Sequence, residues 1–326
     1  MKIYVTRAVF EESLVRLRRE AQIEVSPDDR PLSKAEVMDR LRDADGAMTM
    51  LTDPIDREVL QAASRLKITS NVAVGFNNID ASAATDMGVM VTNTPDVLTE
   101  TTADFAWALL MAAARRVVEA DAFARAGKWK AWSPTMFLGR DVYGKTLGII
   151  GLGRIGQAVA RRASGFGIKV IFHNPRPVAE NVMRQLRAQA VSLDELLETS
   201  DFVSLHVPLS AQTTHLLNEH TFSKMKPSCI VVNTARGPVI DEKSLVRALK
   251  EGKIAGAGLD VFEREPEIEQ DLLKMENVVL APHIGSGSYE TRLKMCMMAA
   301  DNLLAWINGE RPPNLVNPEV WNRRRD

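Results

Sequence analysis

Three glycines and three strand-end side chains carry the chemical signal of this sequence. Gly151, Gly153 and Gly156 stand in G-x-G-x-x-G spacing. In that spacing the first glycine allows a tight turn, the second lets the backbone approach a pyrophosphate, and the third lets a helix pack closely on a strand. Further along stand Arg236, Glu265 and His283. An Arg can hold a carboxylate through two parallel hydrogen bonds. A His can exchange a proton near neutral pH. A carboxylate on its other nitrogen fixes the tautomer and stabilises the imidazolium. Taken singly, each has a plainer reading, since an Arg before Gly is often a surface residue and a Glu before Pro is often part of a turn. His206, His215 and His220 are expected to be such ordinary cases.

The elements around the glycines sharpen the reading. Leu147, Ile149 and Ile150 form a short apolar run of strand type that stops at Gly151. From 154 to 166 the apolar residues Ile155, Val159, Ala163 and Phe166 recur at helical spacing, and Gly167 ends the helix. Residues 168–172 make a second strand. A G-x-G-x-x-G alone is weak, but strand, glycine turn, helix and strand within about 30 residues is a specific sign of dinucleotide binding. The pyrophosphate would sit on the helix N-terminus, where N–H groups and the helix dipole favour an anion. A P-loop phosphotransferase is excluded, because no GK[ST] follows the turn.

Composition bounds the rest. The chain has 326 residues, a formal net charge of −1, 45% hydrophobic and 25% charged residues. That length suits two domains. No basic block points to nucleic acid, and no apolar run approaches the ~20 residues that span a bilayer. MKIYVTRAVF at the start lacks a secretory pattern. Cys229 and Cys296 form no CxxC pair, which argues for a reducing cytoplasm and against a cysteine zinc site. No His/carboxylate cluster has metal-ligand spacing.

Residues 1–98 alternate strands (3–5, 22–25, 47–50, 67–69) with helices (10–20, 33–42, 56–63). The pattern predicts an α/β layer with a parallel sheet. Two loops there suit ligands: 50–53, containing Leu51, follows a strand, and 74–78, with Val74 and Gly75, could form an anion nest. A domain boundary is expected at 93–96. A long, alanine-rich helix then starts near Thr99, with Thr101 and Asp104 in capping-box spacing, and runs on to about Gly127. Its apolar first half predicts burial between domains or in a dimer interface. Trp129, Trp132 and Phe137 suit a subunit contact. Strands at 201–207, 229–233, 255–259 and 278–281 continue the second domain. A final helix at 289–307 is expected to return to the first domain, leaving 308–326 as a polar tail. The predicted domains are therefore 1–98 with 287–326, discontinuous, and 99–286 between them.

The strings VGFNNID (74–80), TPDVLTETTADFAWALL (94–110), GIIGLGRIGQAVARR (148–162), NTARGPVID (233–241), AGLDVFEREP (257–266) and APHIGS (281–286) resemble those of the D-isomer-specific 2-hydroxyacid dehydrogenases. Within that family the 94–110 string and WKAW (129–132) are most similar to the glyoxylate/hydroxypyruvate reductases. The resemblance implies two doubly wound parallel-sheet α/β domains, a Rossmann cofactor domain inserted into a flavodoxin-like substrate domain. It implies NAD(P)H-dependent reduction of a small 2-oxo acid, with His283 giving the proton, Glu265 paired with His283 and raising its pKa, and Arg236 on the substrate carboxylate. The N–H groups of Val74 and Gly75 would hold the other side of that carboxylate, and Leu51 would line the entrance. Trp132, or a neighbouring aromatic, would reach the partner active site of a homodimer. The implied cofactor residues are Thr102, Gly151, Gly153, Arg154, Ile155, Gly156, Asn174, Arg176, Val207, Pro208, Thr213, Thr234, Ala235, Arg236, Asp260, His283 and Gly285.

The fingerprint departs from the family's NAD pattern at one position. An Asp or Glu usually closes the second strand and holds the ribose 2′-hydroxyl. Eighteen positions past Gly156, where NAD-preferring members carry that acid, stands Asn174, with Arg176 two residues on. A neutral Asn and a nearby Arg predict preference for NADPH, with NADH still usable. Rival readings are a D-lactate or D-3-phosphoglycerate dehydrogenase, and a cofactor-sensing, corepressor-like protein on the same fold.

Overall fold

In a computed structural model that describes residues 1–325, the chain forms two compact units. One comprises Met1–Leu98 together with the chain from Gly287 onward, and the other Thr99–Ser286. Each is a parallel sheet with helices on both faces.

The first unit contains β1 (Lys2–Val5), β2 (Gln22–Val25), β3 (Gly46–Thr49), β4 (Ile68–Asn71) and β5 (Met90–Thr92). Their order, β2-β1-β3-β4-β5, is that of flavodoxin-like sheets. Side chains alternate across the sheet, as a two-residue period requires. Ile3 and Val5 join Met48, Ile68, Met90 and the helix residues Ala299, Ala300 and Leu303 in one core. Tyr4 and Ala47 join Val37, Leu60 and Ile79 in the core on the other face. The helix Tyr289–Ile307 thus completes the first unit.

Four local expectations change. The helix expected over 10–20 is two short pieces, Glu11–Val15 and Leu17–Glu20. The short helix Ala81–Asp86 and the edge strand β5 escaped the sequence reading. The expected polar tail packs onto that edge: Leu315 bridges Thr92, and Asn317, buried, accepts a hydrogen bond from the Val91 N–H and donates to the Val89 carbonyl. The Arg325 guanidinium donates to the carbonyls of Ala63, Ser64 and Leu66. The long helix is also broken. It spans Thr99–Ala114, then Arg116 takes a left-handed backbone (φ 53°), and a second helix runs Val117–Arg125. Thr101 therefore lies inside the first turns rather than at a cap.

The second unit contains β6 (Thr146–Ile150), β7 (Lys169–His173), β8 (Ala188–Ala190), β9 (Phe202–Leu205), β10 (Ile230–Asn233), β11 (Gly256–Leu259) and β12 (Val278–Leu280). All pairings are parallel, in the order β12-β11-β10-β9-β6-β7-β8. This is the Rossmann order, with the topological reversal between β6 and β9 and one further strand at the edge. The helix Thr99–Ala114 is buried in this unit through Ala103, Ala106, Trp107 and Leu110, packed with Leu147, Ile149 and Phe172. Trp107 stacks on Phe166 at 4.9 Å and donates to the Val159 carbonyl. Among the described residues no helix is long and apolar enough to cross a membrane.

Candidate active site

In the second unit the implied site residues gather where strands end. Gly151 follows β6 with φ 96°, a backbone that favours glycine. A Cβ there would meet the His206 carbonyl at 2.7 Å. At Gly156 a Cβ would meet the Gly151 carbonyl at 2.2 Å, so helix and turn touch backbone to backbone. At Gly153 a Cβ would meet nothing within 4 Å. The turn is therefore open to a ligand at its middle glycine and tight at the other two. Helix Arg154–Ala163, which also holds Ile155 in its first turn, has no side-chain cap at its N-terminus. At the end of β10 the Thr234 hydroxyl is buried without a partner. An open glycine turn, an uncapped helix start and an orphaned hydroxyl fit a dinucleotide.

The remaining cofactor candidates frame this turn. Asn174 accepts a hydrogen bond from the Leu152 N–H at 3.1 Å and donates to the Arg176 carbonyl at 2.8 Å. It braces the glycine loop, a role its residue type did not announce. Arg176 is exposed, and among the described residues its side chain joins no ion pair. After β9, Val207 is buried and Pro208 accepts from the Thr213 hydroxyl at 2.7 Å, which itself accepts from the Ser210 N–H. Burial pushes the neighbouring His206 imidazole down to about 4. His206 is therefore neutral at physiological pH, and its ring lies 2.8 Å from Ser204 Oγ.

Arg236, Glu265 and His283 sit on loops after β10, β11 and β12. Asn233, buried, orders the first: its Oδ1 accepts from Ala235 N–H and its Nδ2 donates to the Arg236 carbonyl, both at 3.0 Å. At Gly237 a Cβ would overlap the Phe262 carbonyl group at 1.9 Å, so only glycine lets this loop lie on the next one. Burial pulls the Arg236 guanidinium below its ordinary value, while the Glu265 charge works the other way. It stays charged, since Arg does not deprotonate in proteins.

His283 Nδ1 lies 2.8 Å from Glu265 Oε2, and Glu265 Oε1 accepts from the Phe262 N–H. Burial pushes the Glu265 carboxyl up, but the His283 hydrogen bond and charge, the Phe262 N–H and the Arg236 charge outweigh it and hold it below the ordinary range. His283 itself has a left-handed backbone (φ 53°) fixed by bonds from its N–H to the Asp260 and Ala281 carbonyls. Asp260, 1% exposed, takes Ile284 and Gly285 N–H groups on its two oxygens at 2.7 Å each. Burial raises its carboxyl despite those bonds. Its chief visible work is thus to hold the turn that carries His283. Thr102 lies beside Gly285, where a Cβ would stand 3.5 Å from Thr102 Cγ2. His215 is more than an ordinary surface residue. It bonds Glu263 Oε1 at 2.7 Å, and Glu263 and Glu242 each accept the other's backbone N–H. This brace steadies the segment leading to Glu265.

Leu51, Val74 and Gly75 belong to the first unit. Asn78 ties their loops together, its Nδ2 donating to the carbonyls of Met50 and Asp53 and its Oδ1 accepting from Asn71. Asp53 is buried and accepts from Met50 N–H and the Thr6 hydroxyl. Trp132 is 77% exposed. Among the described residues no cluster of three or more His, Cys, Asp or Glu could hold a metal.

Comparison with known proteins agrees with this geometry. The family model for the NAD-binding domain of D-isomer specific 2-hydroxyacid dehydrogenases matches residues 107–285. A glyoxylate reductase of Korarchaeum cryptofilum is 55% identical, covering 98% of this chain and 96% of its own. One from Thermococcus onnurineus is 53% identical, covering 99% and 98%. Among solved structures, the NADPH-dependent glyoxylate/hydroxypyruvate reductase of Sinorhizobium meliloti in complex with NADP and malonate is 35% identical, covering 100% of this chain and 99% of its own, with a TM-score of 0.86. With its Rossmann glycine turn, its His283–Glu265 pair and this full-length likeness, the chain belongs to the D-isomer-specific 2-hydroxyacid dehydrogenases.

Proposed function

We propose that the substrate is glyoxylate or hydroxypyruvate and that NADPH is the preferred reductant, with NADH usable. As a member of its family the chain is an oxidoreductase that reduces a 2-oxo acid with a nicotinamide cofactor. The observation that carries the reading is the His283–Glu265 pair at 2.8 Å, next to the loop of a half-buried, charged Arg236.

Bound nicotinamide supplies the hydride. Glu265 holds the Nδ1 side of His283, which leaves Nε2 to give a proton to the carbonyl oxygen of the substrate. Arg236 spends one nitrogen on the Ala235 carbonyl at 2.6 Å. Its other donors are available to the substrate carboxylate and to charge developing on the carbonyl oxygen. In the first unit, the Val74 and Gly75 N–H groups are the candidate backbone ligands of a substrate carboxylate, and Leu51 is the candidate entrance residue. The turn of Gly151, Gly153 and Gly156 would hold the pyrophosphate, and Asn174 with Arg176 would meet the adenine ribose. Thr102, Thr234, Ala235 and Asp260 would face the nicotinamide. The test is a set of initial rates with glyoxylate, hydroxypyruvate and pyruvate, each with NADPH and NADH. The expected result is highest kcat/KM for glyoxylate or hydroxypyruvate with NADPH. Pyruvate as the best substrate would replace this reading by a lactate dehydrogenase.

The same proposal makes the enzyme a cytoplasmic homodimer. Val117, Val118, Trp129, Trp132, Leu138 and Tyr143 are all exposed large apolar residues within one stretch of the second unit. Such a concentration suits a twofold subunit interface. A cavity of about 480 Å³ between Ala113, Arg116, Val118 and Leu138 offers a socket there. Light scattering at micromolar concentration is expected to give twice the 36.1 kDa chain mass. A stable monomer would refute the interface. Cys229 and Cys296, both buried and unpaired, suit a reducing compartment.

A further inference from the structure

Three consecutive peptide groups in the first unit are held by their carbonyls. The Thr94 N–H donates to the Ala73 carbonyl at 2.9 Å. Asn93 Nδ2 donates to the Val74 carbonyl at 2.7 Å. Asn71 Nδ2 donates to the Gly75 carbonyl at 3.1 Å. In a trans peptide the C=O and the following N–H point in opposite directions. Pinning the carbonyls of residues 73, 74 and 75 therefore turns the N–H groups of Val74, Gly75 and Phe76 the other way. None of these three N–H groups has an acceptor among the described residues. Val74 and Gly75 are half-buried, so water satisfies their donors only in part. Successive unpaired N–H groups form a concave anion nest.

We propose that Asn93 and Asn71 are positioning residues that build a three-donor carboxylate nest, with the Phe76 N–H as its third donor. This rests on the reading of Val74 and Gly75 as carboxylate ligands. It extends that reading by naming what aims them. Asn71 is fully buried and is itself held by the Thr49 hydroxyl on its Oδ1 and by Asn78. Among the described residues the Asn93 side-chain amide donates to Val74 alone. Losing Asn93 would free the Val74–Gly75 peptide to rotate and would blur the central donor of the nest.

The test uses the full-length protein loaded with NADPH and titrates oxamate, an unreactive analogue of a 2-oxo acid, by calorimetry. Asn93→Ala is expected to weaken oxamate binding about tenfold or more, the scale of a hydrogen bond to a charged group, and to raise KM for glyoxylate in parallel. Tm and NADPH affinity should not move. Asn93→Asp, equal in size but unable to donate, should do the same and serves if the alanine variant does not fold. Oxamate affinity within about twofold of wild type in a folded variant would overturn the proposal. So would a joint loss of oxamate and NADPH binding in both variants, which would mean a general structural role. Absence of oxamate binding by the wild type would overturn the nest itself. If oxamate binding is selectively lost but the wild type reduces no 2-oxo acid, the nest stands and the proposed activity falls.

Discussion

Replacing His283 is expected to lower turnover by about 10²- to 10⁴-fold, the worth of a general acid, while NADPH binding persists. Nδ1 of His283 faces Glu265 at 2.8 Å, so the ring is oriented to release a proton from Nε2 rather than to hold the dinucleotide. The choice of variant matters. His283 has φ 53°, a left-handed backbone that alanine tolerates poorly. His283→Ala therefore mixes loss of the acid with strain in the Pro282–Gly285 turn that Asp260 secures. Asn is among the residues enriched in that conformation, and its amide delivers no proton. His283→Asn should show the catalytic loss with Tm and NADPH affinity preserved. Near-normal turnover in that folded variant would remove His283 from the mechanism.

Residue types drew attention to the trio proposed for catalysis, but they did not announce what aims it. Arg236, Glu265 and His283 could be read because charge and proton exchange are properties of single side chains. Asn233, Asp260, Asn71, Asn93 and Glu263 act by taking up particular backbone groups, and Asn or Asp in a loop reads first as a turn former. Their value appears only when the peptide they hold is known. The fold shows the same division. The βαβ unit at Gly151 was legible because periodicity and glycine spacing are local. The break after Ala114 was not, since AAARRVV contains nothing that stops a helix. It is imposed from outside. The Arg140 N–H takes the Ala114 carbonyl at 2.7 Å, and Gly139 comes so near that a Cβ would lie 2.3 Å from that oxygen. The packing of the tail was not legible for a similar reason. Its polar residues carry no periodicity, yet Asn317 exchanges hydrogen bonds with the outer edge of the sheet at β5, and covering such an edge guards against unwanted pairing.

Arg176→Ala is expected to raise KM for NADPH about tenfold or more and to leave KM for NADH nearly unchanged. A charge-assisted hydrogen bond of roughly 1.5–3 kcal/mol sets that scale. Arg176 is exposed and follows β7 by a short turn whose shape Asn174 fixes, donating to the Arg176 carbonyl and accepting from Leu152. Asn174 thus has two effects. It withholds the carboxylate that would repel a 2′-phosphate, and it links the glycine loop to the turn bearing the Arg. Asn174→Asp should keep the second contact with Leu152, because a carboxylate oxygen also accepts an N–H. It loses the donor to Arg176 and gains a charge that favours a ribose 2′-hydroxyl over a phosphate. The ratio of kcat/KM for NADPH to that for NADH should fall in both variants, through loss of NADPH binding in the first and through opposite changes for the two cofactors in the second. The decisive measurement is that ratio at fixed ionic strength, because screening weakens exposed charge pairs. Equal losses for both cofactors in Arg176→Ala would show that Arg176 supports the fold of the turn and does not meet a 2′-phosphate.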